Sequence, residues 1–404
     1  MAKRTTVLTG LEMLARLRPR WLKQRRVGLL MHQASVTRSL ESARDVLHRL
    51  CGAGLKALFG PQHGIAGEKQ DNMIESPHAT DSRLGIPVYS LYSETRSPSA
   101  RMLEGIDTLV VDLQDVGTRV YTFEWTTALA LQACADAGKS VVLLDRPNPL
   151  GGTVMEGNLI KPGYESFVGL YPVPMRHALT LGEMALLVNA RLGSRSGARA
   201  CDLTVVPMQG WRRRHRFEDT ALPWVLPSPN MPTPDTADVY PGQVLLEGTS
   251  LSEGRGTCRP FEVWGAPWLD TAGLRAKFEK RRLPGCALRE HDFQPTFHKF
   301  QGQVCRGFQI HVTDRDRYLP YLTTLALLQD VVWLHGARGS GEFAWKQPPY
   351  EYVTDRLPID VLTGNPAVRE AIESGDDLRA MAASWRPEIR AFEKEAAGHL
   401  LYPV

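Results

Sequence analysis

DTLVVDLQDVGTRVYTFEW, residues Asp107 to Trp125, holds the reading on which the fold turns. Its apolar run, Asp107 to Leu113, is short and bounded by polar residues, as a buried strand is and an amphipathic helix is not. A polar loop with one glycine follows, and Thr122 to Ala137 then fits a helix closed by Gly138. Ser140 to Leu144 (SVVLL) reads as the next strand. Working outward, Arg26 to Met31, Lys56 to Phe59, Pro87 to Leu91 and Cys201 to Pro207 are further strands. Leu40 to Cys51 carries one apolar helical face and is stopped by Gly52 and Gly54. Strands that alternate with helices predict an α/β fold with a mostly parallel sheet covered on both faces.

Beyond this unit the composition changes. Leu222 to Pro241 holds six prolines and reads as ordered, extended loop. Strand-like Phe308 to Val312 and helix-like Tyr321 to His335 and Pro366 to Ile372 then predict a smaller α+β domain. The expected division is 1–242 for the sheet domain and 243–404 for the auxiliary one. A chain of 404 residues supports two domains.

Composition narrows the function classes. Apolar residues at 43% and charged residues at 23% describe a folded soluble protein, and a net charge of +4 without a basic block gives no case for nucleic acid. The basic start, Met1 to Thr6, is followed by no apolar run of signal-peptide length, which predicts a cytoplasmic protein with no membrane partner. Six scattered cysteines show no metal-site spacing, so no structural zinc is expected. No Walker sequence and no strand followed by G-x-G-x-x-G occurs, and the glycine-rich run Gly336 to Gly341 follows a helix rather than opening one. A nicotinamide-dependent oxidoreductase is disfavoured accordingly.

In an open parallel sheet, ligands bind beyond the carboxyl ends of the strands. Three polar, Gly/Pro-stiffened loops lie there: Gly60-Pro61-Gln62-His63-Gly64 with Gly67 to Asn72; Gln114-Asp115 to Arg119 with Tyr121 and Glu124; and Asp145-Arg146-Pro147-Asn148-Pro149 with Glu156. Each polar residue is equally suited to a cap or a turn. Taken together they offer carboxylates, amides, His and Arg, the groups glycoside hydrolysis uses to protonate a leaving oxygen and orient a sugar.

The ordered motifs Leu58 to Gly64, Val88 to Tyr92, Asp112 to Arg119, Asp145 to Pro149, Pro174-Met175-Arg176-His177, Thr180 to Glu183, Pro227 to Pro232 (with Asn230), Tyr240-Pro241-Gly242, Glu247-Gly248-Thr249 and Ser252-Glu253-Gly254-Arg255-Gly256-Thr257 closely resemble the exo-β-N-acetylmuramidase family. The resemblance implies a Rossmann-like catalytic domain with a smaller auxiliary domain. It implies removal of non-reducing terminal N-acetylmuramic acid from a small muropeptide or amino-sugar substrate, with no nucleotide cofactor and no metal. Arg176 and His177 would then suit the lactyl carboxylate of muramic acid.

One position departs from the pattern. Many members of the family read Gly-Pro-Glu-His-Gly where this chain has Gln62 before His63. An amide does not titrate near neutral pH and cannot donate a catalytic proton. Glu68 in the same loop is the nearest replacement acid, with Asp115 as its partner, and Glu156, Glu247 and Glu253 remain alternatives. Gln62, His63, Gln114, Arg119, Tyr121, Asp145, Arg146, Asn148, Glu156, Arg176, His177, Asn230, Glu247, Glu253 and Arg255 are expected to bind substrate. The alternative is a sugar- or muropeptide-binding protein on the same fold, silenced by Gln62. The basic run Trp211 to Arg216 either meets anionic fragments or is a solvated loop.

Overall fold

The computed structural model describes residues 6–70, 73–194, 199–337 and 339–404. Of the stretches singled out above, Met1 to Thr5, Asp71, Asn72 and Arg338 lie outside the described residues.

The chain begins with α1 (Gly10–Leu17) and enters the sheet at β1 (Val27–Met31), followed by α2 (Ala43–Cys51), β2 (Leu55–Gly60), β3 (Ala79–Thr80) and β4 (Pro87–Ser90). Next come the short α3 (Ala100–Leu103), β5 (Thr108–Asp112), α4 (Phe123–Asp136), β6 (Ser140–Leu144), α5 (Leu181–Gly193) and β7 (Asp202–Val206). The seven strands lie in the order β3-β4-β2-β1-β5-β6-β7, all pairings parallel except β3 with β4. Central register pairs Leu29 with both Leu58 and Val110. Every residue of β1, β5 and β6 is buried, as expected for strands covered on both faces. All the strands read from the sequence are present within a residue or two. Helix α5 was not anticipated; its start is fixed by a capping box between Thr180 and Glu183.

The proline-rich segment corrects the sequence reading. It is extended only as far as Thr233, after which α6 (Pro234–Gln243) forms. Pro234 sits at the first helical position, where its missing N–H is not needed, and the Thr233 hydroxyl accepts from the Thr236 amide at 3.2 Å. Pro241 falls near the other end, and Gly242 is there for contact: a Cβ on it would stand 2.0 Å from the Pro320 carbonyl oxygen of α8 (Pro320–His335).

Between α6 and α8 come β8 (Val263–Ala266), α7 (Thr271–Arg281), β9 (Cys286–Glu290) and β10 (Arg306–Val312); beyond α8 come α9 (Pro358–Thr363), α10 (Pro366–Ser374), α11 (Leu378–Ser384) and α12 (Arg386–Ala396). The three strands form a separate antiparallel sheet in the order β8-β10-β9. A single apolar core runs from Leu109 and Trp125 through Tyr240 to Leu325 and Ile359, so the two parts share a packed interior. Among the described residues no helix is long and apolar enough to cross a membrane.

Strand order reverses between β1 and β5, where a parallel sheet offers its usual ligand crevice. Here the chain itself fills it. His32 Nδ1 donates to the Pro227 carbonyl at 3.0 Å, its Nε2 accepts from the Gln114 amide at 2.9 Å, and Gln33 donates to the Leu226 carbonyl at 2.9 Å. Burial holds the His32 pKa down to about 3, so the ring is neutral and this bonding is fixed. The proline-rich segment thus caps the crevice and displaces the open cleft toward the loop after β2.

Candidate active site

That cleft is lined by Gln62 and His63 from the loop after β2, Tyr121 and Thr122 at the start of α4, Ser228 and Asn230 from the proline-rich segment, Tyr240 of α6, Glu247, Arg255, Tyr350 and Glu351.

Glu351 is the carboxyl that reading the sequence missed. It is 4% exposed. The Tyr92 hydroxyl donates to its Oε2 at 2.9 Å, and the Gln62 amide donates to Oε1 at 3.3 Å. Burial pushes its pKa up to about 7 against those two hydrogen bonds, with the negative charge of Glu247 adding to the rise. A carboxyl that keeps its proton to neutral pH is what general-acid catalysis needs. The Gln62 oxygen accepts from the Thr122 hydroxyl at 2.6 Å, which fixes the amide with its NH₂ toward Glu351. The only sequence signal for Glu351 is its setting in Pro348-Pro349-Tyr350-Glu351-Tyr352, a carboxylate framed by stiff residues.

A second carboxylate, Glu247, is held differently. It accepts from Arg255 Nη2 at 2.7 Å and from the Tyr350 hydroxyl at 2.7 Å. Glu253 stands behind Arg255, 3.3 Å from its Nε, and takes Lys299 Nζ at 2.9 Å. Burial opposes the charge of Glu253, but Lys299, His298 and Arg255 outweigh it and hold the carboxyl well below its usual range. Burial likewise opposes the Arg255 charge, which the two carboxylates restore and strengthen. Arg255 Nη1 remains buried with no hydrogen-bond partner, an unused donor on a cation in the cleft wall.

His63 has a positive φ of 72° and bonds through Nδ1 to the Lys69 carbonyl at 2.7 Å. A carbonyl only accepts, so Nδ1 carries the proton and Nε2 offers a lone pair. Burial lowers its pKa to about 4. The ring is therefore neutral wherever Glu351 is protonated near neutral pH.

Among the residues read from the sequence, the structure brings Gln62, His63, Tyr121, Asn230, Glu247 and Arg255 to the cleft, with Glu253 behind it. It places Glu68 elsewhere: its side chain is 55% exposed, 3.9 Å from Lys69, and outside the lining. Asp115 is buried against the amide of Gly117 at 2.6 Å and lies 3.7 Å from His177, which also faces Glu124 at 3.4 Å. That trio sits behind Tyr121 rather than in the lining, and burial, reinforced by Asp115, raises the Glu124 pKa well above normal.

The remaining polar residues bond chiefly within the fold, though Arg119 Nε, Glu156 Oε2 and Arg176 Nε are buried without a hydrogen-bond partner. Arg119 donates to the carbonyls of Asn158, Val173, Leu362 and Thr363, stapling the sheet domain to α9. Arg146 forks onto Asp112 at 2.6 and 2.8 Å. Asp145 receives Thr180, Gly182 and Tyr402, while Asn148 and Gln114 bond neighbouring backbone. Glu156 accepts from the Leu322 amide at the start of α8, and Arg176 donates to the Leu150 carbonyl. Within the basic run, Arg213 is buried on Glu183 at 2.7 Å while Arg212 and Arg214 are exposed, so the stretch is solvated only in part.

A carboxyl whose pKa is raised toward neutrality and an ion-paired carboxylate in one cleft, on an α/β frame, fit one class, the glycoside hydrolases. Two family models match, described as exo-beta-N-acetylmuramidase NamZ, N-terminal, over residues 27–235 and the corresponding C-terminal part over 238–402. The chain belongs to the exo-β-N-acetylmuramidase family. It is 40% identical over 401 residues to the peptidoglycan beta-N-acetylmuramidase NamZ of Bacillus subtilis, covering 99% of this chain and 92% of that protein. Two crystal structures of DUF1343 family proteins from Bacteroides fragilis share the fold. One superposes with a TM-score of 0.88 at 32% identity, covering 99% of this chain and all of its own. The other reaches 0.75 at 28%, with 98% and 99% covered.

Proposed function

We propose that this chain hydrolyses the bond between a non-reducing terminal N-acetylmuramic acid and the rest of a peptidoglycan fragment, with Glu351 as proton donor. The observation that carries this reading is the buried Glu351 at the cleft, hydrogen-bonded by Tyr92 and Gln62 and with its pKa raised to about 7 by burial. Its proton passes to the leaving glycosidic oxygen as the bond to the anomeric carbon breaks; water supplies hydroxide to that carbon and returns a proton to the site. The neutral His63 Nε2 is an acceptor for that water or for a sugar hydroxyl. Arg255, through Nη1, takes the role expected of Arg176 and His177 and meets the lactyl carboxylate. In this reading Gln62 serves catalysis by orienting the acid, where the alternative has it silencing the site. The assignment of fragments to the cytoplasm, in cell-wall recycling, belongs to the same reading and is checked by cell fractionation.

The test is release of free N-acetylmuramic acid from MurNAc-β-1,4-GlcNAc by the parent and by Glu351→Gln. A parent that binds the disaccharide without turnover would establish the binding-protein reading instead.

A further inference from the structure

Residues 350–353 form a tight turn closed at both ends, Tyr350 N to Val353 O at 3.0 Å and Val353 N to Tyr350 O at 2.9 Å. Its two central residues, Glu351 and Tyr352, have φ of 44° and 66°. That is the mirror-image turn which sequences ordinarily meet with Asn-Gly, because side chains at both positions crowd the backbone. Something outside the turn holds this conformation, since its own sequence disfavours it.

We propose that Arg96 is a positioning residue, which, by stacking between Tyr92 and Tyr352, holds this turn so that Glu351 faces the cleft. The Arg96 guanidinium lies 4.1 Å from the ring centroid of Tyr92 and 4.1 Å from that of Tyr352. Cations on aromatic faces attract in this range. Arg96 is itself anchored, Nη1 donating to the Ser93 carbonyl at 2.6 Å. Both rings lead to the acid: Tyr92 donates its hydroxyl to Glu351, and Tyr352 is the next residue along the chain. The far side is tied as well, Tyr352 donating to Glu75 at 3.1 Å and the Glu351 amide meeting Met73 Sδ at 3.3 Å. The stack therefore joins the loop after β4 to a turn more than 250 residues later, and the carboxyl sits where the two meet.

Arg96 also acts on the charge of the acid. The groups that face Glu351 are Tyr92 and Arg96 from the loop after β4, Gln62 from the loop after β2, Tyr240 of α6, Glu247, and Tyr350 and Tyr352 on its own turn. Arg96 is the one cation among these and works against the rise that burial and Glu247 impose. Its removal raises the Glu351 pKa further.

This inference rests on Glu351 as the proton donor, and the experiment separates the two. It compares parent, Arg96→Ala and Arg96→Lys by kcat and KM against pH on MurNAc-β-1,4-GlcNAc. In parallel, the Glu351 carboxyl is titrated by carbon NMR of the intact, glutamate-labelled chain, with Glu351→Gln identifying the resonance. Arg96→Ala is expected to lose about tenfold or more in kcat with KM nearly unchanged, as misplacement of a catalytic group does. Its carboxyl titration and the alkaline limb of kcat should both move to higher pH, and Arg96→Lys should restore most of each. A folded Arg96→Ala with the parent's kcat, or with reduced kcat but an unmoved Glu351 titration, overturns the positioning role. A parent that hydrolyses nothing while the titration still moves in Arg96→Ala overturns the proton-donor reading and leaves the clasp standing.

Discussion

The side-chain amide of Gln62 donates to the carboxyl of Glu351 at 3.3 Å across 289 positions of sequence. Gln62 stands at the position where the resemblance leads one to expect a glutamate, and its amide faces the Glu351 carboxyl. Glu351→Gln removes the proton donor while keeping shape and the possibility of a hydrogen bond to Tyr92. General-acid contributions run to about 10²–10⁴-fold, so kcat for release of N-acetylmuramic acid should fall by that order. Disaccharide affinity, measured by calorimetry, should change little.

The pH dependence follows from the raised carboxyl. Glu351 must be protonated to act, so kcat should decline as pH rises through about 7. In Gln62→Glu a second carboxylate would stand within hydrogen-bonding reach, and two like charges there do not both ionise readily. The pair should keep one proton to higher pH, moving the alkaline limb of the kcat profile upward. A limb that stays in place would show that Glu351 is not the group being titrated.

How far the sequence could be read depends on what each residue touches. Strands such as Ser140–Leu144 declare themselves because burial on both faces demands an unbroken apolar run. The loops at the strand ends announce polarity but not its purpose: Arg119 looks like a sugar binder until its guanidinium is seen on four carbonyls. Glu351 was hidden for the opposite reason. Its raised pKa comes from burial beneath residues distant in sequence, and no local pattern encodes that. Pro234 misled because proline disfavours a helix interior yet suits a helix start.

Arg146 and Glu68 test the corrected placement. Arg146→Ala leaves Asp112, fully buried, without its bidentate partner. Breaking a buried pair from one side costs about 3–5 kcal/mol, so the denaturant midpoint should drop sharply while KM of the remaining folded enzyme stays near the parent's. Glu68→Gln, in an exposed loop side chain, should leave both stability and kcat close to the parent.

Arg255 is the residue on which substrate choice should turn. Two of its nitrogens face Glu247 and Glu253, and Nη1 is a buried donor left without a hydrogen-bond partner on a residue of the cleft wall. A substrate carboxylate there would gain a charge-assisted hydrogen bond worth about 1.5–3 kcal/mol, roughly ten- to a hundredfold in affinity. Arg255→Lys keeps a positive charge beside Glu247 but loses the fork that reaches two partners at once. Its kcat/KM should therefore fall by that factor on the muramyl disaccharide and much less on the corresponding GlcNAc disaccharide, which lacks the lactyl group. An equal loss on both substrates would place Arg255 among the supports of the cleft, and the lactyl carboxylate would have to be met by another residue of its lining.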